Sequence, residues 1–558
     1  MSATRGRLTT GVVVVLGLFF AFPALFLAAE SVRLGGDLVA TVASPAVLGP
    51  LAASLLLAST CALAAMALGT GLAVLVARTD VRGREALRVA LALPLVVPSF
   101  VGATAWLAAT GPGGLVPFLP RPQGFTGAAV VLTLLTYPYV YLVVLARLRM
   151  VPRSHEEAAR LLGASPVRTV LTVLLPQLRP ATAAGGLLVF LYVLSDFGAV
   201  ALLRYDTITR ALYASRLLDR TTSVTLGLFL AVLAVGVALA ARSAAAVPAG
   251  PRPARPPADM HLGRLRTLVT LVPVAVVLLA LVAPVAVLAL WAARGSVTTG
   301  VGWSGFGDPL GFLVAPALGS VAASVAAAVA AVVLVLPLAV ASVRRPGPVT
   351  RVVGAVVTST FALPGLLVAL ALVFFVLQAP GPLAGLYQTF PLLVLGYVLH
   401  FGAQALRASQ TAVAAVPVRL GEAARTLGAG PTRRLVSVDL PLVLPGLVAG
   451  GGLVLLSTLK ELPATALLAP TGFETLATRI FFAAQDGFFA EVGITSLVLL
   501  AMSAVLTWLL VLRPELRAPT GGAGAGPGED GADPEAVGAP GADRASGAPA
   551  TTGGGAVP

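Results

Sequence analysis

The chain has 558 residues, 58% hydrophobic and 11% charged, with a mean hydropathy of +0.96; this is more apolar surface than a soluble domain buries, so a water-soluble protein is excluded. The net charge of +14 and the pI of 11.1 do not mark a nucleic-acid partner, because the arginines sit in short clusters between long uncharged runs, the pattern that encodes membrane orientation. One cysteine, Cys61, and three scattered histidines, His155, His261 and His400, exclude an intrachain disulfide, a cysteine metal site and zinc-ligand spacing.

Arg5 and Arg7 precede an uncharged run from Leu8 to Ala29, longer than a signal core and long enough to stay in the bilayer as a first span. Twelve spans are expected, centred on 9–29, 50–77, 89–110, 127–147, 181–203, 222–241, 267–291, 316–341, 352–378, 388–407, 446–468 and 491–512. A cytoplasmic N-terminus puts Arg78 to Arg88, Arg147 to Arg153, Arg242 to Arg266, Arg344 to Arg351, Arg407 to Arg434, and Arg513 with Arg517 on the cytoplasmic side. The segment from Arg204 to Arg220 opposes this count without reversing it. Both termini are therefore expected in the cytoplasm of a multi-pass inner-membrane protein. The stretch AAAVPAGPRPARPPA, 244–258, and the Gly/Ala/Pro-rich tail cannot pack a core.

An internal repeat organises the chain. Glu157, Ala158, Ala159, Arg160, Leu162, Gly163, Ala164, Pro166, Leu175, Pro176, Pro180, Gly185 and Gly186 all recur 265 residues later, from Glu422 to Gly451. Ala92-Leu93-Pro94 recurs as Ala362-Leu363-Pro364, 270 residues on. Two parallel six-helix repeats follow. The expected domains are a first repeat, 1–243, with a loop at 152–180; a cytoplasmic linker, 244–264; a second repeat, 265–512, with a loop at 417–445; and a disordered cytoplasmic tail, 513–558.

Each repeated loop is too polar to span and predicts two short helices on the cytoplasmic face. Ser154 and Glu157 have capping-box spacing, Gly163 suits a helix end, and Ser165-Pro166, like Gly430-Pro431, suits the start of a second helix. Pro176 and Pro180, with Pro441 and Pro445, are expected to break the chain before the next span. E-A-A followed by Gly six residues after the Glu, then Leu-Pro, resembles the EAA loop of ABC importer permeases. The resemblance implies the all-α type I permease fold. It makes Glu157, Ala158, Ala159 and Gly163, with Glu422, Ala423, Ala424 and Gly428, the residues that dock two copies of a cytoplasmic ABC ATPase, and it implies an extracytoplasmic solute-binding protein as a further partner. No G-x-x-x-x-G-K-[ST] occurs and the one lysine is Lys460, so this chain holds no cofactor and ATP belongs to the partner. An amphipathic helix resting on the bilayer is the plain alternative for the loops.

The strings ARTDVRGRE and LALPLVVPSFVGA (Ala77 to Ala103), LSDFGAVALLRYDTITRALY (Leu194 to Tyr213) and LKELPATALLAPTGFETLATRIF (Leu459 to Phe481) resemble fused two-half ferric-iron permeases over roughly residues 8–512. Permeases for thiamine, putrescine or sulfate share the fold. A major-facilitator-type transporter is the rival of another class, for which Asp80-Val81-Arg82-Gly83-Arg84 is the one favourable sign. Asp196 and Glu461 are equivalent at the 265 offset, each about 15 residues and so roughly 22 Å into a ~30 Å core. An ionisable group there points to a translocation pathway or a pairing partner, and carboxylates suit a hard cation. Asp196, Lys460 and Glu461 are the pathway candidates, with an ion pair of Lys460 and Asp196 across the halves as the structural alternative. No enzymatic constellation and no metal-ligand set is present.

Overall fold

The computed structural model describes residues 2–216, 219–245, 260–297 and 311–512; the tail 513–558 and linker residues 246–259 lie outside them. All regular structure among the described residues is helical, apart from an isolated bridge between Thr79 and Met260. Ten helices are long and apolar enough to cross a bilayer, and two bent pairs bring the total to twelve.

In the first half, α1 is Ser2–Val42, α2 Pro45–Arg78, α3 Arg84–Ala90, α4 Ser99–Thr110, α5 Gly124–Leu148, α6 Arg153–Leu161, α7 Pro166–Ser195, α8 Gly198–Leu202, α9 Ile208–Ser215 and α10 Arg220–Ala245. The second half has α11 Gly263–Gly295, α12 Gly311–Arg344, α13 Pro348–Thr360, α14 Gly365–Gln378, α15 Phe390–Ala415, α16 Val418–Thr426, α17 Leu435–Leu459, α18 Pro463–Leu468, α19 Leu476–Asp486 and α20 Phe489–Thr507.

Each half is built on three mutually packed helices: α2, α5 and α7 in the first, α12, α15 and α17 in the second. Without a hydrophobic drive between helices in lipid, such packing depends on close backbone approach. Gly69 on α2 supplies it, since a Cβ there would stand 2.8 Å from Tyr137 O and 2.9 Å from Tyr141 N of α5. The first helix of each half crosses to the other half: α1 packs on α13, and α11 packs on α4. Thr360 Oγ1 donates to Phe20 O at 2.9 Å and Trp291 Nε1 to Ala108 O at 3.2 Å, one bond on each side.

The expected third and ninth spans, 89–110 and 352–378, are not straight. Arg84–Val96 meets Ser99–Thr110 at 95°, and Pro348–Thr360 meets Gly365–Gln378 at 102°. Pro98 and Pro364, extended with ψ 146° and 142°, stand just before α4 and α14; each lacks an N–H and restricts the residue before it, which ends the preceding helix. Pro98 therefore matches Pro364 at an offset of 266, and the expected pairing of Pro94 with Pro364 at 270 is corrected by four residues.

The fifth and eleventh spans also differ from 181–203 and 446–468: α7 ends at Ser195 and α17 at Leu459, and each is followed by a short separate helix. The expected break at Pro176, Pro180, Pro441 and Pro445 does not occur. A π-turn at Val170–Leu174, repeated at Leu435–Asp439, precedes each proline pair. Its wider turn absorbs the lost N–H and the ring, so the helix continues. The same device recurs at the same 265 offset in both halves.

Candidate functional site

At one end of the molecule the repeated loops form α6 and α16. The capping box expected at Ser154 and Glu157 is absent: α6 starts at Arg153 after Pro152, with no side-chain cap. Gly163 and Gly428 end the two helices at φ +83° and +77°, the left-handed region that glycine enters without strain. Ser165 caps the next helix, its hydroxyl accepting from Arg168 N at 3.3 Å. Glu157, Ala158, Glu422 and Ala423 are exposed, Ala159 is half-buried and Ala424 buried. At the C-terminal caps of the two helices Leu162 and its counterpart Leu427 are 88% and 87% exposed, and Leu161 on α6 and Val418 and Leu420 on α16 are exposed with them.

The two helices are anchored differently, and the sequence motif did not reveal how. Glu156, beside the motif glutamate, is buried and accepts from Arg78 Nε at 2.9 Å, while Arg78 Nη2 donates to Leu148 O at 2.7 Å. This ties α6 to the end of α2. In the second half Arg344 also donates to the end of the preceding long helix, but to Val416 O at 2.8 Å, three residues beyond the counterpart of Leu148, and Gly421 replaces the glutamate. Arg434 fills its place, and a Cβ on Gly421 would be 2.7 Å from the guanidinium carbon.

Asp80, the one sign of a major-facilitator loop, closes the chain between halves. Its Oδ1 accepts from Leu262 N at 3.0 Å, and Met260 N donates to Arg78 O at 2.8 Å. The Leu262 amide, followed by Arg266, holds the Asp80 carboxyl below its ordinary range.

Between the halves lies a central cavity of about 740 Å³, lined by Ser99, Asp196, Phe197, His400, Lys460 and Glu461 among others. Asp196 and Glu461 stand at the breaks after α7 and α17, not within the helices. Asp196 Oδ1 accepts from Ala199 N at 3.1 Å and Val200 N at 3.2 Å, its Oδ2 accepts from Ser99 Oγ, and its carbonyl accepts from Thr209 Oγ1 at 2.5 Å. The carboxylate thus caps α8. Glu461 repeats this on α18, accepting from Ala464 N at 3.1 Å through Oε1 and from Thr465 Oγ1 at 2.6 Å through its carbonyl. Ser99 at the first site is replaced by Gly365 at the second, where a Cβ would fall 2.5 Å from Glu461 Oε1: the longer acid is matched by the smaller neighbour. Lys460 Nζ donates to Val96 O at 3.0 Å, and no ion pair with Asp196 is formed. His400, stacked on Phe361 with ring centroids 6.1 Å apart, also lines the cavity, and no spacing in the sequence marked it. Among the described residues no three His, Cys, Asp or Glu side chains stand close enough to hold a metal ion.

A duplicated bilayer-spanning scaffold, with a cavity between its halves and paired short helices at one end, defines a membrane transport component. The family model for the binding-protein-dependent transport system inner membrane component matches residues 69–247 and 334–514, once in each half. The chain belongs to that family, whose members are not enzymes, and its fold is the type I ABC importer permease fold. It is 28% identical over 508 residues to the Fe(3+)-transport system permease protein FbpB 2 of Haemophilus influenzae, covering 90% of this chain and 97% of that one. It is 30% identical to a probable molybdenum ABC transporter permease protein of Haloferax volcanii, over 41% of this chain and 84% of the relative. The molybdenum transport system permease protein ModB of Mycobacterium bovis is 35% identical over 31% of this chain and 70% of its own.

Proposed function

We propose that the chain is the permease of a ferric-iron importer, that α6 and α16 each dock one copy of a cytoplasmic ATPase, and that an extracytoplasmic binding protein delivers solute at the opposite end. The observation that carries the docking is the recurrence of an exposed leucine, Leu162 and Leu427, on two short helices at one offset. Leu161 with Leu162, and Val418 and Leu420 with Leu427, give each loop several exposed apolar side chains outside the bilayer, and grouped apolar exposure rimmed by polar residues marks a partner contact, with the exposed Glu157 and Glu422 as its polar rim. On this reading both termini are cytoplasmic. ATP-driven closure of the partner moves α6 and α16, and these move α7 and α17, whose far ends carry Asp196, Lys460 and Glu461 at the wall of the route. Asp196 and Glu461 set the shape of that wall by capping α8 and α18, and Lys460 presents its charge to the cavity.

Iron is supported by a relative named for Fe(3+) transport whose match covers 90% of this chain, both fused halves included. A molybdenum oxyanion is the second reading, favoured by the shorter relatives at higher identity. Leu162→Asp with Leu427→Asp is expected to abolish co-purification of the ATPase and uptake while leaving thermal stability unchanged. An ATPase that still co-purifies would refute the docking. Uptake of radiolabelled ferric iron and of molybdate by the complete importer distinguishes the two solutes.

A further inference from the structure

At the end opposite α6 and α16 is a second cavity, of about 600 Å³, walled by both halves. The 25 residues of α5 separate the two ends by about 37 Å. Among the described residues its polar lining consists of Arg121, Arg204, Arg210, Gln123, Gln485 and Tyr213, with no carboxylate. Arg210 is paired with Asp206, which is 76% exposed; Arg121 and Arg204 have no carboxylate partner among the described residues. Arg204 also holds φ +55°, a left-handed backbone that glycine would adopt without strain, so a strained turn carries a cationic side chain to the cavity wall. The floor is aromatic: Phe197 stacks on Phe481 of the other half at 5.5 Å and on Tyr213 at 4.7 Å. Phe197 lines both this cavity and the central one.

We propose that this far-end cavity receives an anionic solute, an oxyanion or a metal ion enclosed in an oxyanionic chelate, before it passes the Phe197–Phe481 pair. A concave site lined by one sign of charge with low-dielectric walls concentrates the opposite charge. Guanidinium forks match the geometry of oxyanions, and the two glutamine amides add neutral donors. A bare trivalent cation would be repelled here, and the central cavity offers it no metal-ligand set. Cationic solutes such as putrescine and thiamine are excluded on the same ground. The inference rests on the transport reading only in treating the cavity as the mouth of the solute route.

The experiment is charge-selective labelling of Ala214→Cys, an exposed position on the cavity wall, in the purified full-length chain in nanodiscs; Cys61 is fully buried, and the unsubstituted chain corrects for its labelling. With each rate divided by that of the same reagent and a small thiol in solution, an anionic sulfonatoethyl thiosulfonate is expected to react roughly tenfold faster than its trimethylammonium counterpart. Molybdate or ferric citrate should slow the reaction, and putrescine and thiamine should not. Arg121→Gln with Arg204→Gln removes both the preference and the protection, whereas Arg121→Lys with Arg204→Lys keeps the preference. Faster labelling by the cationic reagent, protection by putrescine or thiamine, no protection by either anion, or protection only by an added binding protein regardless of its ligand would each overturn the proposal. Labelling requires neither ATPase nor uptake, so its outcome is independent of the docking test and of which solute is transported.

Discussion

Replacing Glu156 by alanine tests how the first of the two repeated loop helices, α6, is held. The Arg78 and Glu156 side chains are each 1% exposed and 2.9 Å apart. At an effective dielectric of about 20 their attraction is roughly 6 kcal/mol, opposed by several kcal/mol of desolvation for each ion. Deleting one partner of such a pair costs about 3–5 kcal/mol, because the other charge stays buried. Arg78 keeps its bond to Leu148 O, which favours the lower figure. A loss of about 3 kcal/mol raises local opening by roughly 100-fold. Hydrogen exchange followed by mass spectrometry on the full-length chain should therefore show the protected amides of Arg153–Leu161 exchanging about 100-fold faster in Glu156→Ala. Those of Val418–Thr426, where Gly421 has no such pair to lose, should be unchanged. Arg78→Met with Glu156→Leu, which removes both charges and keeps the volume, should restore most of the protection. Unchanged exchange in α6, or equal change in both helices, would refute the anchoring argument.

Two further outcomes follow from the same geometry. Gly365→Ser drives a side chain into Glu461 Oε1 and is expected to destabilise by about 1–3 kcal/mol, lowering the melting temperature and uptake. Adding Glu461→Asp reproduces the Ser99–Asp196 arrangement of the first half and should recover both, and a double variant no better than the single one would rule out the size exchange. Asp80 titrates below its ordinary range because Leu262 N donates to it, so its contribution is present above that range and lost only as pH falls through the lowered value. A spin label at position 264 should show the same mobility from pH 8 to pH 5 and greater mobility in Asp80→Ala throughout; a change between pH 8 and 5 in the unsubstituted chain would contradict this.

The sequence made the helical class, the twofold repeat and the two short loop helices legible because each has a period or a register. Apolar runs report burial in lipid, and a constant 265 offset reports structural equivalence. The bends at Pro98 and Pro364 were not legible, because proline inside an apolar run reads equally as a tolerated kink or a break. The neighbours decided, and they decided oppositely at Pro176 and Pro441, where a π-turn carried the helix through. Asp196 and Glu461 were visible as costly charges, yet their role as helix caps depends on where α7 and α17 stop, which hydropathy does not encode. His400 and Glu156 were passed over because their neighbours Phe361 and Arg78 are distant in sequence, and Arg204 and Arg210 were legible only as part of an exception to the charge bias, since the cavity they line is formed by both halves.

The halves share a backbone register but not a set of side-chain locks, and the differences come in matched groups. Where the first half has Arg78 with Glu156, the second has Arg344 with Gly421 and Arg434 in the vacated space. Where the first has Ser99 with Asp196, the second has Gly365 with Glu461. In each case the volume or bond lost at one position is supplied by another residue of the same half, so the fold is conserved while its stiffness is not. A buried ion pair resists displacement of α6 more than the packing of an arginine over a glycine resists displacement of α16. Equal pulls on α6 and α16 would then move the second further than the first, and a substitution at one position predicts nothing about its counterpart until its partner has been exchanged as well.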